Sequence, residues 1–149
     1  QRLAANDMTL IGQPQEILTA TQPWEHKLIE APDMVEHDHH YYLFFSTNPS
    51  YQDSEGIAVA FCHGPAGPCE EPYNGPLLGS NTLGLGPGEE SLFTQDGATW
   101  VLYSPTGVGF FRQLAVARIA FGPSGPYVAE FGGRVPGIAP VHRVDARAH

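Results

Sequence analysis

Glu30 is a carboxylate whose setting could do chemistry, because it lies in Leu28-Ile29-Glu30-Ala31-Pro32, between apolar neighbours and just ahead of a proline. A carboxyl placed among apolar groups keeps its proton more readily than one in water and suits a general acid. The alternative is a surface glutamate before a turn. A denser group, Glu36-His37-Asp38-His39-His40, has the letters of a metal site. It falls where a hairpin should reverse, and alternation would point neighbouring side chains to opposite faces, so it reads as a solvated turn. Cys62 and Cys69 enclose His-Gly-Pro-Ala-Gly-Pro, a segment that folds back tightly and could close a disulfide in an oxidising compartment. Such a short ring contributes about 2–3 kcal/mol in the chain-entropy model. Two unpaired thiols in a reducing compartment are the alternative, and His63 alone does not complete a zinc ligand set.

The elements that must position these residues are short strands. With 149 residues, 42% hydrophobic and 11% aromatic, the chain can build a core of its own. Seventeen glycines, fourteen prolines and only 15% charged residues describe a chain rich in turns. No segment keeps a helical period for three turns, and the fold class is all-β. Met34-Val35 leads through a turn over 36–39 into His40-Tyr41-Tyr42-Leu43-Phe44-Phe45-Ser46, and Gly56 to Phe61 forms a third strand. The plan recurs about 60 residues later. Ser91 to Thr94 enters the turn Gln95-Asp96-Gly97, Thr99 to Ser104 returns, and Gln113 to Ile119 follows. Two units on one plan read as propeller blades, and a few blades alone would leave apolar faces in water. The stretch before Leu18 reads as the outer part of a preceding blade.

Sixteen acidic against seven basic side chains give a formal net charge of −9, which argues against nucleic acid and an anionic membrane surface as partners. No apolar run approaches the roughly 20 residues needed to cross a bilayer. The start, Gln1-Arg2-Leu3, has neither a signal-peptide pattern nor an initiator Met, and the natural amino terminus is expected elsewhere.

These segments together resemble glycoside hydrolase family 43. Ile29-Glu30-Ala31-Pro32 is similar to the family's Val/Ile-Glu-Ala-Pro segment on an inner strand, and Tyr41 to Ser46 and Gly56 to Ala60 are similar to the two strands that follow. Gly64-Pro65-Ala66-Gly67-Pro68 resembles its Ser-Pro-Leu-Gly-Pro turn. Gly86-Pro87-Gly88 resembles the start of a Gly-Pro-Gly-His motif, and Arg112 to Val116 an arginine-bearing strand.

The resemblance implies the last two to three blades of a five-bladed β-propeller over residues 1–131, with 132–149 as a carboxyl-terminal tail. It implies inverting hydrolysis of pentose glycosides, α-L-arabinofuranosides or β-D-xylosides, with Glu30 as general acid. Inversion needs a second carboxyl roughly 6.5–9.5 Å away to activate water. The family's base and its acid-tuning Asp precede the matched region, so Asp7, Asp33 and Asp53 take neither role. The missing amino-terminal propeller segment would supply them, in cis or in trans. Arg112 would orient the catalytic carboxylates, and Trp24 and Tyr51 would offer aromatic faces to sugar. Glu89 stands where the family has a His at the propeller axis; a carboxylate there could take calcium, though no cofactor is required. The protein is expected to be secreted or otherwise extracytoplasmic. Two alternatives stand beside the enzyme: a carbohydrate-binding propeller without catalysis, and a fragment inactive without its amino-terminal half.

Overall fold

The structure, a computed structural model, describes residues 1–6, 8–50, 52–107 and 111–132, and the expected tail beyond Gly132 lies outside them. A small hairpin opens the chain, with β1 (Arg2–Leu3) paired to β2 (Leu10–Ile11). After an extended leader and one 3-10 turn (Pro23–Glu25) come β3 (Ile29–His37), β4 (His40–Thr47), β5 (Gly56–Cys62) and β6 (Cys69–Glu70). These form one antiparallel sheet in chain order. The second sheet repeats the plan with β7 (Leu85–Gln95), β8 (Ala98–Thr106), β9 (Ala115–Gly122) and β10 (Gly125–Phe131). Two four-stranded meanders side by side are two blades of a propeller.

Both inner hairpins turn in two residues whose φ angles are positive, Asp38-His39 (48° and 64°) and Asp96-Gly97 (51° and 76°). This is the backbone twist that tight hairpins favour. The first turn is narrower than the sequence suggested: Glu36 and His37 belong to β3, and the ring of His37 stacks on Phe121 of β9 at 3.9 Å. His37 therefore ends β3, His39 lies in the turn and His40 begins β4, and among the described residues they form no metal-holding group.

β4 is buried on both faces because each face meets a different cover. Tyr42 and Phe44, with Ile57 and Val59 of β5, pack on Val101, Tyr103, Ala117 and Ile119 of the second sheet. Leu43 and Phe45, with Ala58 and Ala60, pack under the leader residues Ile17, Leu18 and Trp24. Alternation along one strand thus serves two interfaces. Each large apolar side chain so enclosed contributes about 1.5–3 kcal/mol. The outer margin of the first sheet is closed by a Cys62–Cys69 disulfide, and the Ile17 carbonyl accepts from the Cys69 amide at 2.9 Å. On β8 of the second sheet Leu102 points away from this core and is exposed, as are Leu114 and Phe111 before β9.

The two inner edges, β3 and β7, lie against each other. Asp33 on β3 accepts from the Leu92 amide on β7 at 2.6 Å. That bond joins the blades close to Glu30.

Candidate active site

Glu30 sits on β3 directly across from Ser46 of β4, and the register then slips between Glu30 and Asp33. Ala31 takes a φ of +50° in that slip, a conformation rare for a residue with a Cβ. The bulge breaks strict alternation immediately after the carboxylate, a device that re-aims side chains. Among the described residues no donor engages the Glu30 carboxyl, which is partly exposed and so accessible to a ligand. One carboxyl oxygen of Asp33 accepts from the Leu92 amide.

Ser46 links Glu30 to the second blade. Its hydroxyl donates to Glu90 at 2.5 Å and accepts from the Glu89 amide at 2.9 Å. Glu90 is buried, and its other carboxyl oxygen has no hydrogen-bond partner among the described residues. Burial pushes its pKa up to about 7, the bond from Ser46 and its own backbone pull the other way, and the charges of Glu89 and Asp33 add to the rise. Glu89 has a left-handed φ of 57° within the irregular entry of β7, where the register slips twice.

Arg112 lies on the segment before β9 and meets the rest of the sheet through a single bridge to Thr106. The strand expected to carry it begins only at Ala115. Its guanidinium does not reach Glu30. One terminal nitrogen donates to the carbonyls of Gly86, at 2.9 Å, and Ser104. The other donates to the Ser50 carbonyl and to the Glu55 carboxylate, its ion-pair partner. Every terminal N–H is thereby committed to protein. Glu55 is fully enclosed; burial raises its pKa, the bond and charge of Arg112 oppose that rise, and the charges of Glu30 and Glu89 add to it. Gly88 passes so close that a Cβ there would lie 2.0 Å from the Glu55 carboxyl oxygen and 3.1 Å from the Ser46 hydroxyl.

The aromatic candidates fare differently. Trp24 sits in the 3-10 turn with its ring packed against the cluster of Leu43, Phe45, Ala58 and Ala60, and its carbonyl accepts from Asn48 at 3.1 Å. Tyr51 lies outside the described residues. Among the described residues no group of three or more His, Cys, Asp or Glu side chains could hold a metal ion. No step below is routed through a cation.

Sequence reasoning missed Glu55 and Glu90, both buried, and a second acidic pair. Glu25 is enclosed and caps the Gln22 amide at 2.6 Å. Glu71 is pushed up to about 7 by burial, with a hydrogen bond and charge from Glu25 adding to the rise. The one available signal was Glu55 standing beside the strand Gly56-Ile57-Ala58, an acid at the mouth of an apolar run.

No family model and no curated protein matches this sequence. Solved structures do. The chain is similar to a thermostable family-43 glycoside hydrolase, with TM-score 0.78 and 24% identity over 93% of this chain and 48% of that one. It is also similar to an exo-1,5-α-L-arabinanase from a bovine ruminal metagenomic library, with TM-score 0.71 and 21% identity over 85% and 47%. A third is a xylan β-1,4-xylosidase from Bacillus halodurans, with TM-score 0.69 and 20% identity over 84% and 26%. The chain spans about half the length, or less, of these proteins. At such identities the likeness is one of architecture: the chain folds as two adjacent blades of the β-propeller found in family-43 glycoside hydrolases.

Proposed function

We propose that this chain carries the proton-donating part of an inverting glycoside hydrolase acting on pentose-containing poly- or oligosaccharide. The observation that carries the reading is Glu30. Its carboxyl stands on an inner strand with no donor among the described residues engaged, beside a network of Ser46, Glu90, Glu55 and Arg112 that holds the surrounding backbone. In the reaction Glu30 gives its proton to the glycosidic oxygen as the bond to the anomeric carbon breaks. A carboxylate on polypeptide outside this chain takes a proton from the attacking water. The exposed Leu102, Leu114 and Phe111 are apolar surface that a further blade would cover, which supports a larger propeller as the working unit.

The disulfide supports an extracytoplasmic location. No helix among the described residues is long and apolar enough to cross a membrane. A second reading, a carbohydrate-binding propeller without hydrolysis, is favoured by Glu89, a carboxylate where the resembled motif has a histidine.

The deciding experiment compares the full-length protein containing this chain with its Glu30→Gln variant on xylo- and arabino-oligosaccharides. Loss of hydrolysis by about 100-fold or more with sugar binding retained supports the enzyme. Binding without hydrolysis by either protein selects the second reading.

A further inference from the structure

We propose that Glu55 is a positioning residue for Glu30, acting through Arg112 and the close-packed backbone of Gly88; the inference rests on the glycosidase reading above. Four contacts connect the two. Arg112 holds Glu55 while also gripping the carbonyls of Ser50, Gly86 and Ser104, so one guanidinium fixes three segments that meet at the entry of β7. The other carboxyl oxygen of Glu55 fills the space beside Gly88, where there is no room for a methyl group. The same Gly88 lies against the Ser46 hydroxyl, and the next amide, that of Glu89, donates to that hydroxyl. Ser46 is the cross-strand partner of Glu30 at the point where β3 bulges.

Shifting Glu55 would therefore shift Gly88, then Ser46, then the backbone that aims the acid. The path is one of packed contacts with no slack, because close-packed interiors transmit displacement. Glu55 itself is wholly enclosed and Arg112 has no terminal N–H left, so neither is placed to bind sugar. The pair is enclosed on the Glu55 side while Arg112 stays partly exposed, and a carboxylate taken out of water in this way is better explained by what it orients than by net stability.

General-acid help matters when the leaving group is a sugar alkoxide and hardly at all when it is dinitrophenolate. That contrast separates positioning from simple damage to the fold. Full-length wild-type, Glu55→Gln and Gly88→Ala proteins are to be compared on xylo- and arabino-oligosaccharides and on the matching 2,4-dinitrophenyl glycosides. We expect both variants to lose roughly 10–100-fold in kcat on the oligosaccharide and less than about threefold on the dinitrophenyl glycoside, a misplacement effect. Gly88→Ala tests the path separately should Glu55→Gln not fold. Equal losses on both substrates, or no loss on either, would overturn the inference and leave the glycosidase reading standing. A wild-type protein that cleaves neither substrate overturns both.

Discussion

The hydroxyl of Ser46 donates to the buried carboxyl of Glu90 at 2.5 Å, tying the strand that faces Glu30 to the inner strand of the next blade. One oxygen of Glu90 is satisfied by that bond and the other has no hydrogen-bond partner among the described residues. A carboxylate so placed is costly to ionise, and three consequences of this and neighbouring features can be measured.

Glu90 should make the fold less stable as pH rises. Its folded pKa of about 7 lies above the ordinary 4.5, so between those values the folded state binds more protons than the unfolded one. Stability from this group is complete below pH 4.5 and is lost as pH climbs through 7. Glu90→Gln keeps the shape and an acceptor for Ser46 while removing the charge. It should raise stability at pH 8 by up to about 3 kcal/mol and change little at pH 4. Urea midpoints at the two pH values check this; an equal shift at both would contradict it.

Removing the Cys62–Cys69 bond should destabilise the protein by about 2–3 kcal/mol. The ring is small, and the chain-entropy gain from closing it is modest. Thermal unfolding of the Cys62→Ser/Cys69→Ser variant beside the oxidised wild type gives the number. An unchanged melting temperature would mean that the leader bond from Cys69 to Ile17 holds this edge alone.

Gly125→Ala should be strongly damaging to the packing between the two sheets. Gly125 has a φ of +103°, and a Cβ there would fall 2.2 Å from the Phe61 ring and 2.8 Å from the Tyr73 hydroxyl. That hydroxyl donates to the Ser124 carbonyl at 2.7 Å, so the first sheet's loop is bound to the turn before β10. We expect a loss of about 3 kcal/mol or more from the combined clash and backbone strain, read from denaturant unfolding. Phe61→Ala in the same background should recover part of it.

How much of this was readable in the chain differs by residue type. β4, β5 and β8 announce themselves, because Tyr41 to Phe45, Ile57 to Phe61 and Thr99 to Tyr103 are apolar or aromatic runs between turn residues. Their repetition also revealed the blade plan. Glu30 was found through its neighbours, Ile29 and the Ala31-Pro32 step that becomes the bulge. Glu55 and Glu90 were not found, because a glutamate in a sequence reads as solvent-facing, and their burial is created by partners far along the chain. Arg112 is 57 residues from Glu55, and Ser46 is 44 from Glu90. Arg112 is a residue the family resemblance points to, but its carboxylate partner is not, since a side chain on a non-strand segment has no period from which its direction can be read. Glu89 attracted notice while its neighbour Glu90 did not. The slips on either side of Gly88 suspend the alternation that would have assigned their faces.

The bond from Cys69 to Ile17 also bears on how the protein keeps to itself. A sheet edge with free amides and carbonyls can recruit a strand from another molecule, and short, bent or covered edges are the usual defence. β6 is only two residues long, is cross-linked to β5, and has an amide taken by the leader, so the outer rim of the first blade offers little to copy. At the rim of the second blade, β10 runs for seven residues, with a register slip near its end and Glu130 paired to Arg118 beside it. Among the described residues, β10 therefore offers the longer rim for backbone pairing, and a proline placed in it is the change most apt to suppress such pairing.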